Sequence, residues 1–367
     1  MQKKVSDAFL LDATGTVARI AKEEDLGSGD VTSQLLEAEG EARFELFLKQ
    51  PAVFAGQAVA GEILNVYDEA IRIEWQVEPP GLPRRSFECH PPRAIHSAWA
   101  IEPDAGPDAK RGQQSSSAPG APPSAEAATW MKMPDAVSPV EPAFQPVALD
   151  GTYFERTPVR LAILIGPNRS VLATERVLLN FLQRLCGVAT LTRRYVDAVV
   201  GTTAKIYDTR KTTPGWRLLE KYAVRCGGGH NHRMGLYDAV LLKDNHLAGI
   251  PVERLSYAVF DMLNRAADLS PVPKFVEVEA DSLEQLEELF KVVGIHIILL
   301  DNFGLDDLRR AVARRDALGL KGRVELEASG GITLANAAEV ARTGVDRISV
   351  GALTHSATAV DLSLARL

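Results

Sequence analysis

Along the second half of this 367-residue chain, charged residues recur just after short apolar runs. AKIYDT leads into Arg210 and Lys211, and AVLL into Lys243, Asp244 and Asn245. KFVEVEA carries Glu277 and Glu279, HIILL ends in Asp301 and Asn302, and RVELEA ends in Ser329, Gly330 and Gly331. One polar residue after a strand is an ordinary solvated end. Five such ends in succession, with both signs of charge, read as a functional cluster at the C-terminal ends of parallel strands. The cations Arg210, Lys211, His232, Arg233 and Lys243 suit an anionic substrate, because guanidinium forks grip carboxylates in pairs and an ammonium acts as a point charge. The acids Glu279 and Asp301 would hold Mg²⁺, bind ribose hydroxyls or stabilise a cationic transition state. Glu277 shares a strand face with Glu279, so spacing leaves open which of the two reaches deeper.

SGGIT, after a strand and before a helix, has the form of a phosphate cradle: the glycines let backbone approach and the helix start supplies amides. Gly351 and Ala352, after RISV, would supply a second set. CGGGHNHR invites a zinc reading through Cys226, His230 and His232, but no fourth ligand stands at a recognisable spacing. A flexible glycine loop presenting His232 and Arg233 is the better reading, and a Cys226–His nucleophile is the weakest. GSGD at 27–30 has no clear preceding strand and reads as a turn.

The elements that must carry these residues follow from periodicity. The strand candidates AKIYDT, AVLLKDNH, KFVEVEA, HIILLDN, RVELEAS and RISVGAL alternate with helices, which predicts a parallel sheet. Six or more such units over about 150 residues fit a barrel better than an open sheet. In DSLEQLEELFKVV, Ser282 and Gln285 form a capping box ahead of Leu283, Leu286 and Leu289. A second helix is expected after Thr333, ending at Gly344. Upstream, Val5, Phe9, Leu10, Val17 and Ile20 predict an amphipathic helix. Arg43–Phe54, Ile71–Val77 and Val159–Ile165 predict strands, which together make a small α/β domain. Thr174 is expected to open a long helix running to about Val200. That would set Arg176 in its first turn, where the dipole disfavours a cation unless an anion lies near.

Fourteen of the 21 prolines fall between Pro79 and Pro146, which marks about 79–148 as an inserted, largely irregular segment. A formal net charge of −7 argues against nucleic acid or anionic membrane as the main partner. No apolar run approaches the roughly 18 residues of a membrane span, and no signal-peptide h-region is evident. Cys89, Cys186 and Cys226 are odd in number and far apart, so no disulfide framework is expected. A soluble cytoplasmic protein is the expectation.

KIYDTRKTTPGWRLLEKYAVRCGGGHNHRMGLYDAVLLKDNHL closely resembles the signature region of the quinolinate phosphoribosyltransferase (carboxylating nicotinate-nucleotide diphosphorylase) family. EDLGSGDVTS, ERVLLNFLQRLCGVAT, VEVEADSLEQL, LLDNF, EASGGIT and ISVGALTHS match it in the same order, over about 1–78 and 149–367. The insert is this chain's departure. The resemblance implies an α/β fold: an N-terminal α/β sandwich domain (1–175, interrupted by the insert) and an incompletely closed TIM-like α/β barrel (176–352). Residues 353–367 would return to the N-terminal domain. It implies dimers with shared active sites, or hexamers of dimers. It also implies that Arg210, Lys211 and Arg233 bind quinolinate with His232 alongside, and that Arg176 of the partner subunit reaches in. Lys243, Glu279 and Asp301 would surround the ribose and pyrophosphate, with Mg²⁺ held through Glu279 and Asp301. Ser329, Gly330, Gly351 and His355 would take the 5′-phosphate. Lys211, Lys243, Glu279 and Asp301 would carry the catalysis, with no organic cofactor. Two other readings are a related phosphoribosyltransferase-like protein of molybdenum transport and a catalytically silent phosphate-ligand binder. The complete cation set argues against both.

Overall fold

The computed structural model describes residues 2–36, 40–75, 149–266, 269 and 272–367. The proline-rich segment expected at 79–148, with Cys89, lies outside the described residues. In chain order the first elements are α1 (Gln2–Leu26), β1 (Glu41–Leu48), β2 (Ala52–Val53), α2 (Gln57–Tyr67) and β3 (Arg72–Trp75). β4 (Tyr153–Phe154), β5 (Val159–Pro167) and α3 (Asn168–Ala198) follow. β1 alternates as a half-buried strand must, with Ala42, Phe44, Leu46 and Leu48 in the core and Glu41 and Arg43 outside. It pairs antiparallel with β5 and with the chain's last strand, β12 (Leu362–Arg366), in the order β12-β1-β5-β3. The C-terminal segment therefore returns to the N-terminal sheet, with Leu362 opposite Leu48 and Arg366 opposite Phe44.

Helix α3 corrects two expectations. It begins at Asn168, straight after Pro167, and not at Thr174. Thr174 is no cap, since its hydroxyl donates to the Ser170 carbonyl (2.8 Å) one turn back within the helix. Arg176 consequently lies beyond the first turn, exposed, and the dipole argument for a nearby anion does not apply to it. The boundary drawn between 175 and 176 also falls inside this helix. α3 packs on β5 and β2 along one part and on α4 and β6 along another, through buried Val171, Leu178, Phe181 and Leu185.

After α3 come β6 (Lys205–Tyr207), α4 (Arg217–Cys226), β7 (Val240–Leu242), α5 (Asp244–Leu247), α6 (Val252–Ala266) and β8 (Val276–Ala280). Then follow α7 (Leu283–Leu289), β9 (Ile297–Asp301), α8 (Leu305–Ala317), β10 (Glu325–Ser329), α9 (Ala337–Ala341), β11 (Arg347–Ser349) and α10 (Ala352–His355). All six strand candidates form one parallel sheet in the order β6-β11-β10-β9-β8-β7. The last of these strands in sequence closes on the first, Arg347 opposite Lys205, and a single bridge from Tyr207 to His230 extends the sheet past β6. β6 and β7, at the two ends of that order, do not pair, so the barrel is incompletely closed. Half of the expected capping box forms at α7: Ser282 Oγ accepts from the Gln285 amide (3.3 Å), but Gln285 Oε1 accepts from the Asp281 amide (2.7 Å), one residue before the cap, and not from that of Ser282.

Candidate active site

Side-chain alternation stacks the polar residues of the barrel in layers. Glu277 and Glu279 share one face of β8; Glu325, Glu327 and Ser329 share one face of β10; Arg347 and Ser349 share one face of β11. The deeper layer is closed on itself. His232 Nε2 lies 2.9 Å from Glu277 and 3.5 Å from Glu327, and Arg347 Nε donates to Glu327 (2.8 Å) while its guanidinium stacks 3.8 Å over the Tyr207 ring. Glu277 and Glu327 have no solvent exposure. The Arg233 amide points at His232 Nδ1 from 2.8 Å, which favours a neutral ring. Two buried carboxylates pull the other way, and a close charge pair is worth about 4 kcal/mol at an effective dielectric of 20 against about 1 kcal/mol for the hydrogen bond. The imidazolium wins: burial works against the charge, but Glu277 and Glu327 outweigh it and raise His232 to about 9. Burial likewise opposes the charge on Glu327, and His232 and Arg347 overcome it, holding the carboxyl at about 2.

The segment carrying His232 and Arg233 is pinned. Asp208, just past β6, accepts the His232 amide (2.8 Å) and Asn231 Nδ2 (2.6 Å) and pairs with the fully buried Lys221 of α4. Lys221 also donates to the His232 carbonyl (3.2 Å). The glycines before it do not make the expected flexible loop. A Cβ on Gly227 would sit 2.5 Å from the Ala189 carbonyl oxygen, and one on Gly229 would sit 2.7 Å from Thr192 Cγ2, so these residues let the segment press against α3. Zinc is not supported there. His230 turns to Arg225 (3.2 Å) and is driven down to about 3 by burial and then by Arg225, while His232 turns to Glu277. The Cys226 thiol is buried and pushed well up, the state of an inert thiol and not of a nucleophile.

Nearer the mouth, compensation is incomplete. Arg233 is nearly buried and donates to the Ala239 carbonyl (3.2 Å). Burial and then the neighbouring Arg210 oppose its charge, with Glu277 and Asp238 supporting it. Arg210 itself is exposed. Two guanidiniums held against their repulsion make a seat for an anion. Across the mouth, Lys243 Nζ lies 3.2 Å from Glu279, and the Asp244 amide donates to the same carboxylate (3.4 Å). Glu277 is thus the deeper acid and Glu279 the one facing the mouth.

Carboxylate oxygens of Glu279, Asp281 and Asp301 lie within 4.8 Å of one another. Asp301 is raised by burial and then by Glu279; Asp281 is raised by burial and then by Glu279 and Asp244. An all-oxygen set of three crowded carboxylates fits a hard divalent cation such as Mg²⁺. Asp281 was not among the residues singled out in the sequence. It follows Ala280 at the end of β8, one place before the α7 cap, and two-residue spacing from Glu279 is the signal that points to it.

The two phosphate-loop candidates also come to the mouth. Asn302, in left-handed conformation (φ 56°), donates through Nδ2 to Asp301 (2.6 Å) and through its amide to the Ser329 carbonyl (2.9 Å). It lies over Gly330, where a Cβ would be 2.1 Å from Asn302 Oδ1, so glycine there is required for acid and loop to be joined. The helix expected directly after SGGIT starts later, at Ala337. The Asn336 side chain bonds the Thr333 amide (2.8 Å) and the Gly331 carbonyl (3.0 Å), folding the stretch as a turn. A Cβ on Gly351 would lie 3.0 Å from Lys211 Cδ and 3.2 Å from His355 Nε2, so Lys211, Gly351 and His355 share one corner. Arg176, exposed on α3, is not brought into this group by any ion pair among the described residues. GSGD forms a turn in which Asp30 accepts the Thr32 and Ser33 amides (2.9 Å each).

Sequence reasoning also missed the fixing of the loop that carries Arg210 and Lys211. Buried Glu220 accepts from the Thr213 amide (3.0 Å) and hydroxyl (2.8 Å) and from Arg184 Nη2 (2.7 Å); Arg184 Nη1 donates to the Ala357 carbonyl (2.9 Å). The signal was the adjacent Glu220 and Lys221 set within the apolar run of α4.

An unclosed α/β barrel with cations, acids and glycine-backed loops at its strand ends suits a substrate that carries several anionic groups. Residues 188–365 match the family described as "Quinolinate phosphoribosyl transferase, C-terminal domain". The chain is 32% identical over 341 residues to a probable nicotinate-nucleotide pyrophosphorylase [carboxylating] of Bacillus subtilis, covering 93% of this chain and 89% of that one. It is 49% identical over 197 residues to the nicotinate-nucleotide pyrophosphorylase [carboxylating] of Mycobacterium leprae, covering 53% of this chain and 66% of that one. The solved nicotinate-nucleotide pyrophosphorylase from Francisella tularensis superposes with a TM-score of 0.69 at 30% identity, covering 97% of each chain. The chain belongs to the quinolinate phosphoribosyltransferase family.

Proposed function

We propose that the chain transfers phosphoribosyl from phosphoribosyl pyrophosphate to quinolinate with decarboxylation. The products would be nicotinate mononucleotide, CO₂ and pyrophosphate, a step of de novo NAD biosynthesis in the cytoplasm. The observation that carries this is the pairing of two mutually repelling guanidiniums, Arg210 and Arg233, with a cluster of three acids, Glu279, Asp281 and Asp301, at the strand ends of one barrel. Quinolinate has two adjacent carboxylates, and Arg210, Arg233 and Lys211 offer cations for both. Its ring nitrogen attacks the anomeric carbon while the bond to pyrophosphate breaks. Glu279 and Asp301 hold the ribose hydroxyls and face the positive charge that develops there. Lys243, paired with Glu279, lies on the side of the departing pyrophosphate. Ser329, Gly330, Gly351 and His355 take the 5′-phosphate. The pyridinium formed then accepts the electron pair left when the 2-carboxylate departs as CO₂, and that ring carbon takes up a proton. Glu279, Asp281 and Asp301 would hold Mg²⁺, which offsets charge on pyrophosphate when bound. All three relatives above bear the pyrophosphorylase name, which favours this reading over the molybdenum-linked and silent alternatives.

Incubation with phosphoribosyl pyrophosphate should give product from quinolinate and none from nicotinate. Comparable turnover of nicotinate would refute the acceptor assignment. Arg176 belongs to the same reading as a residue donated across a homodimer, because it is exposed and outside its own chain's cluster. Arg176→Ala and Arg210→Ala homodimers should each be nearly inactive. Random mixing should restore about a quarter of wild-type activity, since half the dimers are mixed and each has one intact site. A mixture as inactive as its parents, with subunit exchange verified, removes Arg176 from the shared site.

A further inference from the structure

The deep layer of the barrel holds a charged residue for which the reaction has no use. Glu327 is fully buried, two residues before Ser329 on β10, and faces the barrel interior. It reaches no group of the mouth. One of its oxygens accepts from Arg347 of β11 (2.8 Å); the other has no hydrogen-bond partner of good geometry and lies 3.5 Å from His232 Nε2. Both oxygens of Glu277, which approaches the same ring nitrogen, likewise lack well-aligned donors. Two buried acids, from β8 and from β10 with only β9 between them, therefore hold the imidazole at Nε2, and its Nδ1 lies 2.8 Å from the amide nitrogen of Arg233. Such a chain of charges is a costly way to fill an apolar core, because apolar residues of similar volume would do it at least as well. It does one thing apolar residues cannot. It fixes the ring, and through one peptide unit the residue that the ring precedes.

We infer that Glu327 is a positioning residue for the acceptor site: through His232 it sets where the Arg233 guanidinium meets the substrate carboxylate. The inference rests on the proposed function. It assigns to His232 a role under the pocket floor, with its ring nitrogens occupied inside the protein. Arg347 is the outer anchor of the chain, its guanidinium stacked on Tyr207 and shared between Glu327 and Glu325 (3.3 Å).

The test is steady-state kinetics and calorimetric quinolinate binding on the full chain, for wild type, Glu327→Gln and Glu325→Gln. Glu327→Gln keeps the shape and removes the charge facing His232. It should lower kcat/KM for quinolinate roughly 10- to 100-fold, as a small misplacement of a substrate-binding group does, with the KM for phosphoribosyl pyrophosphate unchanged. Glu325→Gln, which touches Arg347 but not His232, should leave both parameters at wild-type values. If Glu327→Gln does not fold, Glu327→Asp keeps the charge but withdraws it by one methylene, and should raise the quinolinate Kd with little change in Tm. Loss of affinity for both substrates together, or wild-type quinolinate affinity in a folded Glu327 variant, would overturn the inference and leave the function intact. A wild type that neither binds nor turns over quinolinate would overturn the function itself and the inference with it.

Discussion

Two charged layers lie in the same barrel, and on β8 the step from one to the other is the two residues from Glu277 to Glu279. Below, Glu277, Glu327, His232 and Arg347 cancel one another within the protein. Above, Arg210 opposes the charge of Arg233, and Glu279 opposes the ionisation of Asp281 and Asp301. The lower layer was completed by folding; the upper is completed only by something that arrives. Burial of charge by itself does not distinguish a structural residue from a functional one in this chain. Whether the charge is answered does.

The contrast should appear first in stability. Glu277→Ala removes the nearer of the two acids that answer His232, together with part of Arg233's compensation, and should cost about 3–5 kcal/mol in denaturant unfolding. Asp301→Asn, at the partly open mouth, removes a repelling charge and should stay within about 0.5 kcal/mol of wild type. Equal losses from the two would break the distinction between the layers.

In catalysis the ranking reverses. Arg210→Ala or Arg233→Ala should cost about 2–5 kcal/mol in kcat/KM for quinolinate, because each leaves a substrate carboxylate without its fork. Measured Mg²⁺ activation should weaken in Asp301→Asn, and its persistence at wild-type level would remove Asp301 from the cation site.

A smaller effect separates the layers by pH. His232 is raised from 6.5 to about 9, so the stability it contributes is complete below about pH 6.5 and is lost as pH rises through 9. Glu327 is lowered from 4.5 to about 2, so its contribution is present above pH 4.5 and lost as pH falls through 2. Thermal unfolding should thus show Tm declining between pH 6.5 and 9 in wild type, with a shallower decline in Glu327→Gln. Parallel curves would mean the ring is not held by these acids.

The upper layer was legible in the sequence because strand ends are where apolar periodicity stops, and Arg210, Lys211, Lys243, Glu279 and Asp301 stand at those stops. The lower layer was hidden for the complementary reason. Glu327 sits inside ELEAS and Glu277 inside VEVEA, where alternation gives a face but not a depth. Helix α3 shows another limit. Thr174 offers a capping side chain, and only the chain's actual turn at Pro167 decides that it is spent on Ser170 instead. The glycines of CGGGHNHR look flexible from composition, while their role is close approach to Ala189 and Thr192, contacts distant in sequence.

The smallest expected effect lies where the chain passes from 75 to 149. Trp75 ends β3 with its ring 5.5 Å from that of Phe54. On the return, the Gly151 amide donates to the Phe54 carbonyl (2.9 Å) and the Phe54 amide to Thr152 (2.9 Å). Asp150, almost wholly buried, receives the amides of Gly56 (2.8 Å), Gln57 (3.0 Å) and Ala58 (3.3 Å) at the start of α2, together with the Tyr222 hydroxyl. Departure and re-entry are therefore fastened to one residue and its neighbours, independently of what lies between. Replacing 79–148 by a short Gly-Ser linker should leave Tm and turnover nearly unchanged, since closure entropy varies only with the logarithm of length. Aggregation of the shortened chain would show that the segment packs on the rest. The same fastening makes this junction the natural address for foreign cargo: a fluorophore-bearing peptide or an affinity tag spliced between 79 and 148 should travel with the enzyme, because Asp150 and Phe54 hold the two ends of the excursion on the body of the protein.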